Sequence, residues 1–172
     1  MTADLKIAFL AVLFWAIAIG VYLLMTGLIV WRSIHDPAAP ELVQPDMWIL
    51  MGGAAIATLA GDHIHPAGLE SVRPVTVVTW LVATAWIPPL IYLTVRRFRR
   101  RRGLPPALWW AAVFPPGMYS AATYATGVET GWRWLTVVSQ VFFWIAFAAW
   151  VIVAIESLLR FGDHAMRKLR RV

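Results

Sequence analysis

The sequence predicts an all-α integral membrane protein with five transmembrane helices. Three observations carry that expectation. Of the 172 residues, 60% are hydrophobic and 14% are charged, about half the charged share of an average soluble domain. Apolar runs of about 20 residues recur along the chain, and each is long enough to cross a hydrocarbon core about 30 Å thick. Lys and Arg collect between alternate runs, as positive charge does on one side of a membrane. A soluble fold of this size would leave most of these runs facing water. The absence of cysteine excludes disulfides and thiolate metal sites.

The expected helices span residues 7–32, 46–62, 75–96, 105–128 and 134–160 within one membrane domain covering 1–172. The first carries no charge from Ile7 to Trp31. The second is short: its uncharged part, Met47 to Gly61, extends roughly 22 Å at 1.5 Å per residue. It must borrow flanking residues or be covered by protein instead of lipid. The third, fourth and fifth are each long enough to cross unaided.

Charge placement gives the orientation. Arg32, the six arginines between Arg96 and Arg102, and Arg160, Arg167, Lys168, Arg170 and Arg171 of the C-terminal tail fall on one side. Lys6, Arg73 and Arg133 fall on the other. The positive-inside rule puts the larger set in the cytoplasm and the N-terminus outside, in a multi-pass protein of the cell membrane. The net charge of +6 is therefore a topology signal touching anionic headgroups, and no nucleic-acid partner is expected.

The spans are of two kinds. The first, third and fifth are rich in Leu, Ile, Val, Phe and Trp, which sit well against acyl chains. The second, "WILMGGAAIATLAG", and the fourth, "LWWAAVFPPGMYSAATYATG", gather Gly, Ala, Ser and Thr in their C-terminal halves. Small residues allow close helix approach and turn hydroxyls toward a neighbouring helix. Proline frees a backbone carbonyl, which is tolerated at membrane depth only beside protein or water. The second and fourth helices should be interior, with the others outside. Pro115 and Pro116 then bend the fourth helix and Gly117 relaxes it. Its hydroxyls at Tyr119, Ser120 and Thr123 line a polar path, or else a kinked helix simply packs in a bundle. Gly52, Gly53 and Thr58 are the corresponding candidates on the second helix.

The stretch "ALWWAAVFPPGMYSAATYATG" resembles the ninth helix of the tellurite-resistance/C4-dicarboxylate transporter family, which includes plant slow anion channels and yeast malate and sulfite transporters. Trp109, Trp110, Phe114, Pro115, Gly117, Tyr119, Ala122 and Thr123 carry the likeness. "PDMWILMGGAAIATLAG" is similar to the seventh helix of that family. Pro116 departs from the pattern, where leucine is commoner, and a proline pair alters the kink. The resemblance implies ten helices around a pseudo-fivefold axis, odd-numbered helices lining a pore, a trimer, and a pore-occluding phenylalanine. The five spans would be the last five of the ten, and Phe114 would be the gate. A half-length chain implies a truncated product, a separately encoded N-terminal half or self-assembly, and transport by the isolated chain is not expected.

The expected function is transport of small anions by a permease or channel, with Phe114 as gate and Gly52, Gly53, Thr58, Gly117, Tyr119, Ser120 and Thr123 along the pore. No metal or cofactor and no enzyme activity are expected, because neither a phosphate-binding glycine loop nor a nucleophile–base pair is present. The alternative is a non-transporting half-domain that binds or regulates a permease. A membrane metal or redox enzyme would rest on Asp62, His63 and His65, read as an outer loop. None of the four histidines, His35 and His164 included, lies deep in a span, as axial ligands of a membrane cytochrome must. Glu156 and Arg160 have the i,i+4 spacing of a helical ion pair. Ser139 and Gln140 should bond between helices.

Overall fold

A computed structural model of the chain describes residues 3–35, 47–64, 72–99 and 109–169. Among these residues the fold is five α-helices: α1 (Ala3–His35), α2 (Trp48–Ile64), α3 (Arg73–Arg99), α4 (Trp109–Thr130) and α5 (Trp134–Leu169). The protein is an all-α membrane protein. Three stretches, Lys6–His35, Arg73–Arg96 and Trp134–Arg160, are long and apolar enough to cross a bilayer, and α2 is a shorter apolar helix. With 22 residues, α4 reaches about 33 Å, but proline, glycine, serine and threonine dilute its apolar character.

That dilution matches its position. Helices α2 and α4 pack side by side, with α3 behind both, α1 flanking α2 and α5 flanking α4. The core lies where α2, α3 and α4 meet: Met51, Ala54, Ala55, Trp80, Ala83, Leu90, Tyr119 and Ala122, with Leu135 from α5. Much of it is alanine, because lipid gives no hydrophobic drive between helices and close backbone approach must supply the attraction. At the α2–α4 contact, a Cβ placed on Gly52 would lie 3.3 Å from Pro115 Cβ.

The outer helices have the opposite character. None of the most apolar window of α1 is buried, and Leu13, Ile17, Leu24 and Leu28 are exposed along it. Trp15 and Tyr22 tie α1 to its neighbours: Trp15 Nε1 donates to the Ala57 carbonyl at 2.7 Å, and Trp86 Nε1 of α3 donates to Tyr22 Oη at 3.2 Å. α5 carries a ladder of exposed rings, with Phe143 stacked on Phe147 at 6.2 Å and Phe147 on Trp150 at 6.1 Å. Near its end Glu156 and Arg160 approach to 3.7 Å as their spacing predicts.

Between α4 and α5 the chain reverses in a few residues. Gly131 takes φ +76°, the left-handed conformation that ends a helix and costs other L-residues energy. The Leu135 amide then donates to the Trp132 carbonyl at 3.0 Å, starting α5.

One expectation is corrected here. Asp62 and His63 are not in a loop, since α2 runs on to Ile64; His65 lies outside the described residues. Consecutive helical residues leave the axis about 100° apart, so Asp62 and His63 diverge. His63 is exposed, its Nδ1 2.7 Å from the Leu59 carbonyl. The metal-ligand reading of this pair therefore loses its geometry.

Candidate functional site

The polar side chains of α2 and α4 are buried between helices. Thr58 Oγ1 donates to the Ala54 carbonyl at 3.0 Å and meets Thr79 Oγ1 of α3 at 2.9 Å. Thr123 Oγ1 accepts from Trp80 Nε1 of α3 at 3.1 Å, and Tyr119 Oη meets Thr84 Oγ1 of α3 at 2.8 Å. Ser120 and Ser139 of α5 bond reciprocally, each hydroxyl donating to the other residue's carbonyl at 2.7 and 2.9 Å. Ser139 thus bonds between helices as the sequence suggests, whereas Gln140 is exposed. In hydrocarbon an unpaired polar group costs several kcal/mol, so these bonds both satisfy the groups and hold the layers together.

The glycines divide similarly. Gly52 receives Pro115 of α4, Gly53 faces the ring of Tyr22 of α1, and Gly117 lies near Ala146 of α5. Gly52, Thr58, Tyr119, Ser120 and Thr123 are buried, and Gly53 and Gly117 half-buried. The structure brings all seven to helix–helix contacts. Phe114 stands apart from them, with 58% of its surface exposed.

Phe114 belongs to a stripe. On α4 the exposed positions are Phe114, Ala121, Tyr124 and Val128; on α2 they are Ile49, Ile56 and His63. Phe114, Ala121 and Val128 are seven residues apart, as are Ile49, Ile56 and His63, two full turns in each case. At 100° per residue, the α4 stripe lies opposite Tyr119 and Thr123, the residues that touch α3. Likewise, the α2 stripe lies opposite Ala54 and Leu50, between the side facing α4 and the side facing α1. Proceeding round each helix in the same sense, α2 meets α4, open space, α1 and α3, while α4 meets α5, open space, α2 and α3. Both open faces therefore point the same way, and α2 and α4 form one continuous wall with its back against α3.

This wall is apolar along most of its length. Ile49, Ile56, Phe114, Ala121 and Val128 carry no polar atom in their side chains; Tyr124 and His63 do. None is a carboxylate, lysine or arginine. Tyr124 is 55% exposed, a phenol turned toward the open face. Sequence composition identifies the two helices but misses Ile49, Ile56, His63, Ala121, Tyr124 and Val128. The signal available was the seven-residue spacing leading away from Phe114.

Comparison with known proteins supports the membrane character of the chain. The family model described as voltage-dependent anion channel matches residues 1–158. Two uncharacterized membrane proteins, from two strains of Mycobacterium tuberculosis, are each 30% identical over 148 residues, covering 80% of this chain and 75% of theirs. No solved structure matches the chain significantly.

Proposed function

The chain belongs to the voltage-dependent anion channel family, and from that premise we propose that the open face of α2 and α4 is a segment of an anion-permeation wall with Phe114 as its constriction. One observation carries the reading: Phe114 is on the uncovered face, 58% exposed, while its neighbour Pro115 is locked against Gly52. A rigid backbone beneath a free bulky ring suits a steric and dewetting gate. A wall without fixed cations favours passage over tight capture, because a lysine or arginine in a narrow apolar pore would hold its anion.

Small anions of the C4-dicarboxylate or oxyanion class are the proposed substrates. Thr58, Tyr119, Ser120 and Thr123 serve this wall from behind by fixing helix spacing, and Gly52, Gly53 and Gly117 allow the close approach. The chain lies in a membrane. The proposed setting is the cell membrane, with the N-terminus outside and the C-terminus cytoplasmic, on the strength of the arginine distribution. Two inner helices enclose no pore, so conduction requires further copies of the chain or additional helices, and a family of channels makes an oligomer the expected form. The same openness is what a non-transporting half-domain docked on a partner permease would show.

The test is anion conductance of the assembled channel in planar bilayers. Phe114→Ala should raise conductance about tenfold or more, the effect of removing roughly 1.4 kcal/mol of barrier. An unchanged conductance in a demonstrably complete channel would remove Phe114 from the gate.

A further inference from the structure

At the end of the wall near His63, the last turn of α2 brings a carboxyl group against α3 and α4. Asp62 has both side-chain oxygens buried with no hydrogen-bond donor among the described residues. Its carboxyl lies beside Glu129 of α4 and Thr76 of α3. Thr76 cannot satisfy both acids: its hydroxyl is 2.7 Å from the Arg73 carbonyl and reaches Glu129 Oε2 only at 3.5 Å. Packing leaves no slack here. A Cβ on Gly61 would overlap Thr76 Cγ2 and lie 2.8 Å from Trp15 Cζ2.

Among the described residues, other charged or titratable groups lie on each neighbouring element. From α3, Arg73 Nη2 donates at 3.4 Å to the backbone carbonyl of Glu129. From α2 itself, His63 turns outward with Nδ1 near the Leu59 carbonyl. From α1 the neighbour is the uncharged Trp15, with Lys6 exposed at the start of that helix. Arg133, in the turn leading into α5, is exposed. Two adjacent carboxylates whose oxygens are buried between helices repel and are poorly solvated, so both do not ionise together. The donor that Asp62 lacks is one that a protonated carboxyl group has.

We propose that Asp62 and Glu129 form a proton-binding site, in which one shared proton ties the ends of α2 and α4 together beside Thr76 and its release drives those ends apart. The proton comes from the aqueous phase and returns to it, and no other bond changes. This latch does not depend on anion conduction. It holds the end of the wall whether or not the wall conducts.

The sign of its pH dependence follows from linkage. The folded state holds a proton that the unfolded chain releases, so stability falls as pH rises. The measurement is the thermal midpoint of the full chain in lipid nanodiscs between about pH 5 and pH 9. The wild-type midpoint should fall across this range by roughly 3 °C or more. Asp62→Asn should abolish the fall, because its amide donates a hydrogen bond at every pH. His63→Gln should keep it. An equal fall in Asp62→Asn, a flat wild-type profile, or loss of the fall in His63→Gln would each overturn the proposal. So would restoration of the high-pH midpoint by sodium or calcium ions, which would make the ligand a metal cation. Should Asp62→Asn fail to fold, infrared spectroscopy of the wild type decides: a buried protonated-carboxyl band at neutral pH is expected, and its absence refutes the site.

Discussion

At Thr123 the difference between a hydroxyl and a methyl group decides whether an indole is satisfied. Trp80 is 5% exposed, Thr123 is fully buried, and Trp80 Nε1 donates to the Thr123 hydroxyl at 3.1 Å. Thr123→Val keeps the shape and leaves the N–H without an acceptor, which costs about 1–3 kcal/mol. Tyr119→Phe should cost less, because Thr84 can still donate to the Trp80 carbonyl at 2.9 Å. Unfolding in detergent should rank the two in that order. Gly61→Ala is expected to be worse than an ordinary helical substitution, since its methyl group meets Thr76 and Trp15 and overpacking costs about 1–3 kcal/mol. Gly20→Ala, with nothing within 4 Å, should instead stabilise α1 by up to about 1 kcal/mol. These residues also mark a limit of sequence reading. The hydroxyls of Thr58, Tyr119, Ser120 and Thr123 announce interior helices, but the type of residue does not say which side of the helix they occupy. Burial does: hydroxyls go where a bonding partner waits, which here is toward α3 and α5.

At the scale of elements, the sequence distinguishes α2 and α4 from the lipid-facing helices because lipid and protein contacts select different side chains. Gly, Ala, Ser and Thr collect on the pair that packs most, and Leu, Ile, Phe and Trp on α1 and α5. The proline pairs show where that logic stops. Pro115 and Pro116 of α4 are buried, while Pro88 and Pro89 of α3 are exposed. The dipeptide is identical, so only the neighbour, Gly52 for Pro115, tells them apart. Nor did the sequence mark the end of α2. The expected helix stops at Asp62, yet the backbone stays helical through Ile64, and both Asp62 side-chain oxygens are buried. The α2–α4 contact gives a test. Gly52→Val places branched carbons where Pro115 already sits at 3.3 Å from a Cβ, and should lower stability by about 1–3 kcal/mol. Gly117→Ala meets only Ala146 Cβ at 3.8 Å, an ordinary contact, and should be tolerated. If Gly52→Val unfolds no more easily than Gly117→Ala, the two inner helices are not held by that close approach.

For the molecule as a whole, the consequence of the layering is a two-sided protein. The outer side, formed by α1, α3 and α5, presents exposed Leu, Ile, Phe and Trp to its surroundings. The inner side presents the Phe114 stripe and the Ile56 stripe, apolar enough to tolerate lipid yet interrupted by Tyr124 and His63. Exposure alone does not separate the two sides: Tyr124 at 55% and Ile152 of α5 at 53% are equally open. On the proposed function, what separates them is what each meets after assembly. A permeation wall faces water in the complete channel, whereas an outer face stays in acyl chains. The chain contains no cysteine, so single reporters can be placed without background. A thiol reacts as the thiolate, which forms in water and not in hydrocarbon. Ala121→Cys should therefore be modified by a membrane-impermeant thiol reagent in assembled channels, at least about tenfold faster than Ile152→Cys, and a permeant anion at high concentration should slow it. Equal, slow modification at both positions would mean that lipid covers the inner side too, and the two-helix wall would then be a packing surface without a pore.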